Sequence, residues 1–365
     1  MARSTVALIA RKCNGPLIIE TAYINEIRPD EALVEIHAVG ICHADISCLD
    51  GAGVVKEVGR NITHISPGDK VLLSYNYCGH CVQCSQGHPA YCLSMLSLNF
   101  EGRRPDGSFK MMTQDKQPLY SNHFGQSSFA RLAVVSGPCM VKVAAETPLE
   151  LFAPLGCGLQ TGAGAIFNTL NIPPGATLAI FGVGSVGMSA MMAAKIREAR
   201  VIIAIDLIES RLELARKLGA THTIHGSDSG VAEQLAMICQ SDGVMFALDT
   251  TGSPTIIERM IKSLGTRGRA ASVGAPPPDK LVSLNVLEHL TRGREYVGCN
   301  QGDSIAHQMI PFLIEQYSLG KYPLNEIVKF YDIDDFDLAL TDMKSGKTIK
   351  PVLVWTTNSG CNGLA

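Results

Sequence analysis

Hydrophobic and polar positions follow two different rhythms along this chain. The first 150 residues hold short β-branched runs bounded by Gly, Pro, Asp or Asn: Ala32–Cys42 (ALVEIHAVGIC), Gly51–Gly59 (GAGVVKEVG), Asp69–Tyr75 (DKVLLSY) and Ser127–Val135 (SSFARLAVV). Ser66–Leu72 (SPGDKVL) reads as a turn feeding a strand. This half predicts a small β-barrel with glycine-rich corners. From Thr177 the pattern becomes strand–helix–strand. Thr177–Gly182 (TLAIFG) reads as a buried strand, Ser185–Ala199 as a helix and Val201–Asp206 (VIIAID) as the next strand. A helix stopping at Gly219, the run Thr221–Gly226, strand Gly243–Asp249, helix Pro254–Gly265 and strand Gly268–Gly274 continue the alternation. Such alternation predicts a doubly wound parallel sheet, so the fold class is α/β plus β. The last 65 residues are mixed and end in strand-like Pro351–Trp355 and a polar tail.

Composition narrows the functional classes. A chain of 365 residues suits two domains, and 46% hydrophobic with 18% charged residues is an ordinary globular balance. A formal charge of −3 without basic blocks argues against nucleic-acid or anionic-membrane partners. The N-terminal apolar run, Val6–Ala10, is shorter than the core of a signal peptide, and no stretch approaches a membrane span. The reading is therefore cytoplasmic, where twelve cysteines are metal ligands or buried hydrophobes rather than disulfides.

Gly182, Val183, Gly184 and Gly187 spell G-x-G-x-x-G between a predicted strand and a predicted helix. The first two glycines allow a tight turn and close approach of a pyrophosphate. The third lets helix and strand pack, and the helix N-terminus favours the anion. Asp206 ends the next strand nineteen residues after Gly187, placed to accept hydrogen bonds from an adenosine ribose and to repel a 2′-phosphate. NAD is favoured over NADP. Cys78, Cys81, Cys84 and Cys92 have the spacing Cys-x2-Cys-x2-Cys-x7-Cys. Four thiolates can close a tetrahedral zinc site with no position left for water, a structural site. An iron–sulfur cluster is the alternative for such clustered thiols. His80 and His88 lie in the same loop and are read as exposed polar residues.

The Cys-His-x-Asp run from Cys42, the four-cysteine loop, the stretch Pro154–Ala165 (PLGCGLQTGAGA) and the glycine turn together resemble zinc-type medium-chain alcohol dehydrogenases, with aryl or benzyl alcohol dehydrogenases the nearest kind. The resemblance covers nearly the whole chain. It implies a GroES-like catalytic domain (1–158), a Rossmann NAD-binding domain (159–298) and a C-terminal segment (299–365) returning to the first, with the active site between domains. It also implies a small-molecule alcohol or aldehyde substrate and a homo-oligomer, dimer or tetramer. Family members hold a catalytic zinc with a Cys, a His from a Gly-His-Glu motif, and a second Cys. Cys42 and Cys157 match the two cysteines, and Asp45 matches a supporting carboxylate. Thr161 matches a neighbour of the nicotinamide, Arg211 a ribose contact, His43 and Lys350 pyrophosphate contacts, and Ser272–Pro276 (SVGAP) a backbone segment near the carboxamide. Residues Ser74–Tyr77, Leu98–Phe100 and those after Gly298 match the substrate pocket.

Two departures stand out. The Gly-His-Glu segment is absent between Asp50 and Gly51, and Ala44 replaces the hydroxyl residue that takes the alcohol proton in the family. Cys48 and Asp50 are chemically acceptable zinc ligands in the shortened loop, whereas His64 reads as a surface residue. Three functions follow. The first is an NAD- and zinc-dependent oxidoreductase of primary aryl or allylic alcohols. The second is a zinc-free reductase of activated C=C or C=N bonds. The third is a non-catalytic dinucleotide-binding chain from an exon-skipped or mispredicted transcript.

Overall fold

The computed structural model describes residues 3–12, 15–41 and 49–356. The chain divides into two compact units. The first comprises Met1–Cys157, Ile305–Pro311 and Val328–Ala365, and the second Gly158–Ser304 and Phe312–Ile327.

The first unit is built on two sheets. One has seven strands, running Val328–Asp332, Lys350–Val354, Glu31–Ile41, Leu49–Val58, Lys70–Leu73 and Met140–Val143, with Leu132–Ser136 also paired to Glu31–Ile41. All neighbours are antiparallel except the first two strands. The other sheet joins Arg3–Ala10, Leu17–Ile24, Met111–Thr113 and Pro118–Leu119. Their apolar faces close on Val34, Ile36, Val39, Val71, Leu73, Phe129 and Leu353. Glycine sets the packing of the Leu49–Val58 strand. A Cβ on Gly51 would sit 2.1 Å from Ser128 Oγ, and one on Gly53 would sit 2.2 Å from the Glu35 carbonyl oxygen. The pairing Gly40↔Asp50, Val39↔Gly51 runs without a break across the point where the sequence lacks its family segment. The join lies inside one continuous strand.

The second unit carries a six-stranded parallel sheet in the order His222–His225, Val201–Asp206, Thr177–Phe181, Val244–Asp249, Leu264–Ser272, Glu295–Gly298. Numbered along the chain this is 3-2-1-4-5-6, which reverses direction beside Thr177–Phe181 and places a ligand crevice there. Every residue of Thr177–Phe181 and of Val201–Asp206 is buried, as expected for strands covered on both faces. The Glu209–Leu218 helix buries Leu212, Ala215 and Leu218, and Gly219 ends it at φ 128°.

Several elements depart from the sequence pattern. The strand expected over Ser127–Val135 forms only from Leu132 to Ser136, because the residues before it close a turn in which Ala130 N donates to the Ser127 carbonyl. The strand expected from Gly268 begins at Leu264, and the helix expected to reach Ala199 ends at Ile196. No described helix is long and apolar enough to cross a membrane.

Candidate active site and metal centre

The glycine turn has the geometry of a dinucleotide cradle. Gly182 has φ +88°, and a Cβ there would stand 2.6 Å from Thr250 Oγ1. Thr250 Oγ1 donates to the Gly182 carbonyl at 2.8 Å and locks the turn. A Cβ on Gly187 would meet the Gly182 carbonyl oxygen at 2.1 Å, so glycine is what lets helix Ser185–Ile196 close on the strand. Gly184 differs: a Cβ on it would have nothing within 4 Å. That open space lies at the start of a twelve-residue helix with no acidic residue in its first turn. An anion would meet free N–H groups there. The residues present fit a dinucleotide.

Asp206 is mostly buried, and its Oδ2 accepts from Val183 N at 2.8 Å while Oδ1 accepts from Ile208 N at 3.0 Å. Arg211 Nη1 lies 3.7 Å from the same carboxylate. Thr161 is buried on the short helix Gly158–Gly164. That helix packs directly on the helix of the glycine turn, since a Cβ on Gly162 would be 2.1 Å from the Val186 carbonyl oxygen and Ser189 Oγ donates to the Leu159 carbonyl. In the Ser272–Pro276 segment, Val273 N bonds the Asp249 carbonyl, and a Cβ on Gly274 would be 2.1 Å from Gly252 N. Sequence reasoning missed Asp249 and Thr250. Burial pushes the Asp249 carboxyl up, and it accepts from Thr251 N, Thr251 Oγ1 and Gly252 N, fixing the loop next to the turn. A hydroxyl pair directly after a strand end was the available signal.

The four loop cysteines converge. Their sulfurs all lie within 4.8 Å of one another, with Cys81–Cys84 at 3.5 Å and Cys78–Cys84 at 3.9 Å. Cys78 N and Cys81 N each donate to a cluster sulfur at 3.3 Å. Backbone N–H groups draw the Cys81 thiol down to about 6, while burial pushes Cys84 up to about 12. Thiols this close cannot all ionise without a cation between them, and four sulfurs suit tetrahedral zinc. His80 is exposed outside the sulfur cluster, with Nδ1 2.8 Å from the Cys78 carbonyl oxygen. The donor set fits the metal.

The expected catalytic-zinc position is described only in part. Cys42, His43, Asp45 and Cys48 lie outside the described residues. Cys157 is buried behind the Ala153–Gly156 turn, where a Cβ on Gly156 would be 1.9 Å from the Leu73 carbonyl oxygen. Its thiol hydrogen-bonds the Asp50 carboxylate. Asp50 Oδ2 in turn receives the Lys350 ammonium at 2.5 Å, with both side chains fully buried. Asp50 Oδ1 has no hydrogen-bond partner among the described residues. Gly40 makes room for this pair, since a Cβ there would be 2.9 Å from Lys350 Cε. Burial pushes the Asp50 carboxyl up, and the ammonium and the thiol oppose it. Lys350, expected at the pyrophosphate, thus has its ammonium against Asp50. Among the described residues the only group of three or more potential ligands is the cysteine loop. Cys157 and Asp50 are thus two potential ligands at this position, and the other expected cysteine, Cys42, lies outside the described residues.

Aromatic side chains pack beside Cys157. Tyr75, Phe124, Tyr77 and Tyr91 share its cluster, and Phe100 stacks edge-on to Phe124 at 5.6 Å.

Comparison with known proteins agrees with both halves of the chain. Residues 28–117 match the alcohol dehydrogenase GroES-like domain, and residues 185–315 match the zinc-binding dehydrogenase domain. The chain belongs to the zinc-type medium-chain alcohol dehydrogenases. Geraniol dehydrogenase of Castellaniella defragrans is 38% identical, over 96% of this chain and 98% of that protein. A zinc-binding-domain alcohol dehydrogenase protein from Burkholderia ambifaria superposes with a TM-score of 0.94 at 40% identity, covering 98% of this chain and 100% of the other. Benzyl alcohol dehydrogenase of Acinetobacter calcoaceticus follows with a TM-score of 0.92 at 36% identity, covering 97% and 100%. The two units are thus a GroES-like domain and a Rossmann domain, as the motifs implied, and the chain is an oxidoreductase of this family. Membership implies zinc and NAD(H) as its cofactors.

Proposed function

We propose that this chain transfers hydride between NAD(H) and a primary allylic or aryl alcohol or its aldehyde. The observation that carries the reading is the Gly182–Gly187 turn, with open space at Gly184 and the neighbouring strand end occupied by Asp206. Bound NAD supplies the hydride acceptor or donor. The protein's part is positioning. Thr250 and Asp206 hold the turn rigid, the Asp206 carboxylate disfavours a 2′-phosphate, and the helix packed through Gly162 presents Thr161 for the nicotinamide. The relatives named for geraniol and benzyl alcohol, together with the aromatic wall beside Cys157, support an unsaturated or aryl substrate. Zinc belongs in the Cys78–Cys92 loop, whose thiols call for a reducing compartment such as the cytoplasm.

A second copy of the chain is the expected partner. Glu295–Gly298 is an edge strand, and the neighbouring Leu281, Val286, Leu287 and Leu290 are each more than two-thirds exposed. Dimer or tetramer is read by sedimentation equilibrium.

The test is NADH binding by fluorescence, followed by oxidation of geraniol and benzyl alcohol with NAD⁺ or NADP⁺. The reading expects saturable NADH binding, alcohol-dependent NADH formation and a preference for NAD⁺. A zinc-free reductase of activated C=C or C=N bonds is the second reading, favoured by the Asp50–Lys350 pair closed against Cys157. It predicts a saturated aldehyde, rather than an alcohol, when NADH is consumed with an α,β-unsaturated aldehyde.

A further inference from the structure

We propose that His64 and His307 together bind a divalent transition-metal cation, at a site outside the cysteine loop. The cation belongs to the class that imidazole suits: zinc, nickel or copper.

The two histidines come from distant segments of the first unit and line one cavity. His64 stands in the loop between strands Leu49–Val58 and Lys70–Leu73, and His307 in the first turn of helix Ala306–Ser318. Their ring centroids are 6.0 Å apart, set edge to face at 79°. Metal–imidazole bonds of about 2.0–2.1 Å put the centroids of two rings on one ion roughly 5–6 Å apart. A single cation therefore fits between these rings. The cavity, of about 460 Å³, leaves room for the water that completes its shell.

The chemistry of each ring suits a ligand. His307 is half-buried, and one of its ring N–H groups donates to the Pro138 carbonyl. That bond orients the imidazole and leaves the other nitrogen as the lone-pair donor, the arrangement that metal-binding histidines commonly have. Burial, and after it the neighbouring His64, hold His307 below the usual imidazole range, so a proton does not compete for that lone pair at neutral pH. His64 is exposed, with the His307 ring beside it, and can turn its own nitrogen toward the ion. Asp30, Asn61 and Tyr77 complete the wall near them, and no described lysine or arginine lines the cavity. One acid and no described cation favour a positive ion there. An ion held by both rings would clamp the loop at His64 to the start of the helix.

Ni²⁺ is the probe, because imidazole suits it and the cysteine loop is kept filled with zinc. Isothermal titration of dialysed full-length protein gives the Ni²⁺ count for the native chain, His64→Ala and His307→Ala. Each variant is expected to bind one Ni²⁺ fewer than the native chain. Ni²⁺ should also raise the Tm of the native protein and leave that of either variant unmoved. Circular dichroism checks both folds. If His307→Ala does not fold, the exposed His64→Ala still decides the question. Equal Ni²⁺ counts in the native chain and His64→Ala, including no binding by either, would overturn the proposal.

Discussion

The molecule handles clustered polar chemistry in two contrasting ways within its GroES-like unit. The Cys78–Cys92 loop takes all its donors from one short stretch of chain, so its sulfurs converge however the rest of the unit packs. The Cys157 site draws Asp50, Cys157 and Lys350 from segments 300 residues apart at the extremes. A ligand set spread over so many segments is vulnerable to change in any one of them. The strand Leu49–Val58 runs on through Asp50, whose carboxylate meets the Lys350 ammonium beside Cys157. A dispersed set thus depends on strand register, whereas a contiguous one does not.

That contrast can be broken most forcefully at the loop. Removing its zinc with a strong chelator, or replacing Cys84 by Ser, should produce the largest destabilisation. Metal binding in small all-ligand sites is worth on the order of 10 kcal/mol of folding free energy. Calorimetry should show a large fall in Tm, with hydrogen exchange opening residues 78–92 first.

Next in size is Lys350→Met, which leaves a fully buried carboxylate without its cation. Breaking such a pair costs about 3–5 kcal/mol, whereas replacing both partners by apolar groups is close to neutral. Urea unfolding of Lys350→Met and of Lys350→Met with Asp50→Val should show the double variant regaining most of the loss. Equal losses in both would mean that the pair contributes packing rather than charge compensation.

A pH effect of similar size belongs to the aromatic wall. His123 packs against Phe124 and Phe100, and burial lowers its pKa from 6.5 to about 4. Between those values the unfolded chain takes up a proton that the folded chain refuses. Stability is therefore complete above 6.5 and falls as pH drops towards 4, by roughly 3 kcal/mol. The slope should shrink in His123→Phe, leaving the contributions of His37 and His307, whose pKa values burial also lowers, and an unaltered slope would exclude His123 as a source.

Asp206→Ala should have the smallest effect and serve as the control. It removes the bond to Val183 N and the acceptor for the ribose, weakening NADH binding by about 1.5–3 kcal/mol and narrowing the preference over NADPH. Zinc content should stay as in the native chain.

How far these features could be read from the sequence follows the same contrast. The parallel sheet was legible because its strands are unbroken apolar runs punctuated by glycine, and the loop because its ligands are close in sequence. Asp50 appeared only as an acceptable zinc ligand and Lys350 only as a pyrophosphate contact, since nothing local announces a pairing that depends on register across Gly40. The strands Arg3–Ala10 and Leu17–Ile24 were missed because neither shows a clean alternation, and the helix Val231–Cys239 because its start is a left-handed glycine, Gly230, rather than a side-chain cap. Thr250 escaped notice because its role is to hold a turn formed 68 residues earlier.

X-ray absorption at the zinc edge of the native protein tests the central claim most directly, because it reports the ligands of every bound zinc at once. A four-sulfur shell at about 2.3 Å is the predicted result for the loop zinc. Nitrogen or oxygen scatterers at about 2.0–2.2 Å with no sulfur at about 2.3 Å would contradict it by placing the metal outside the cysteine loop.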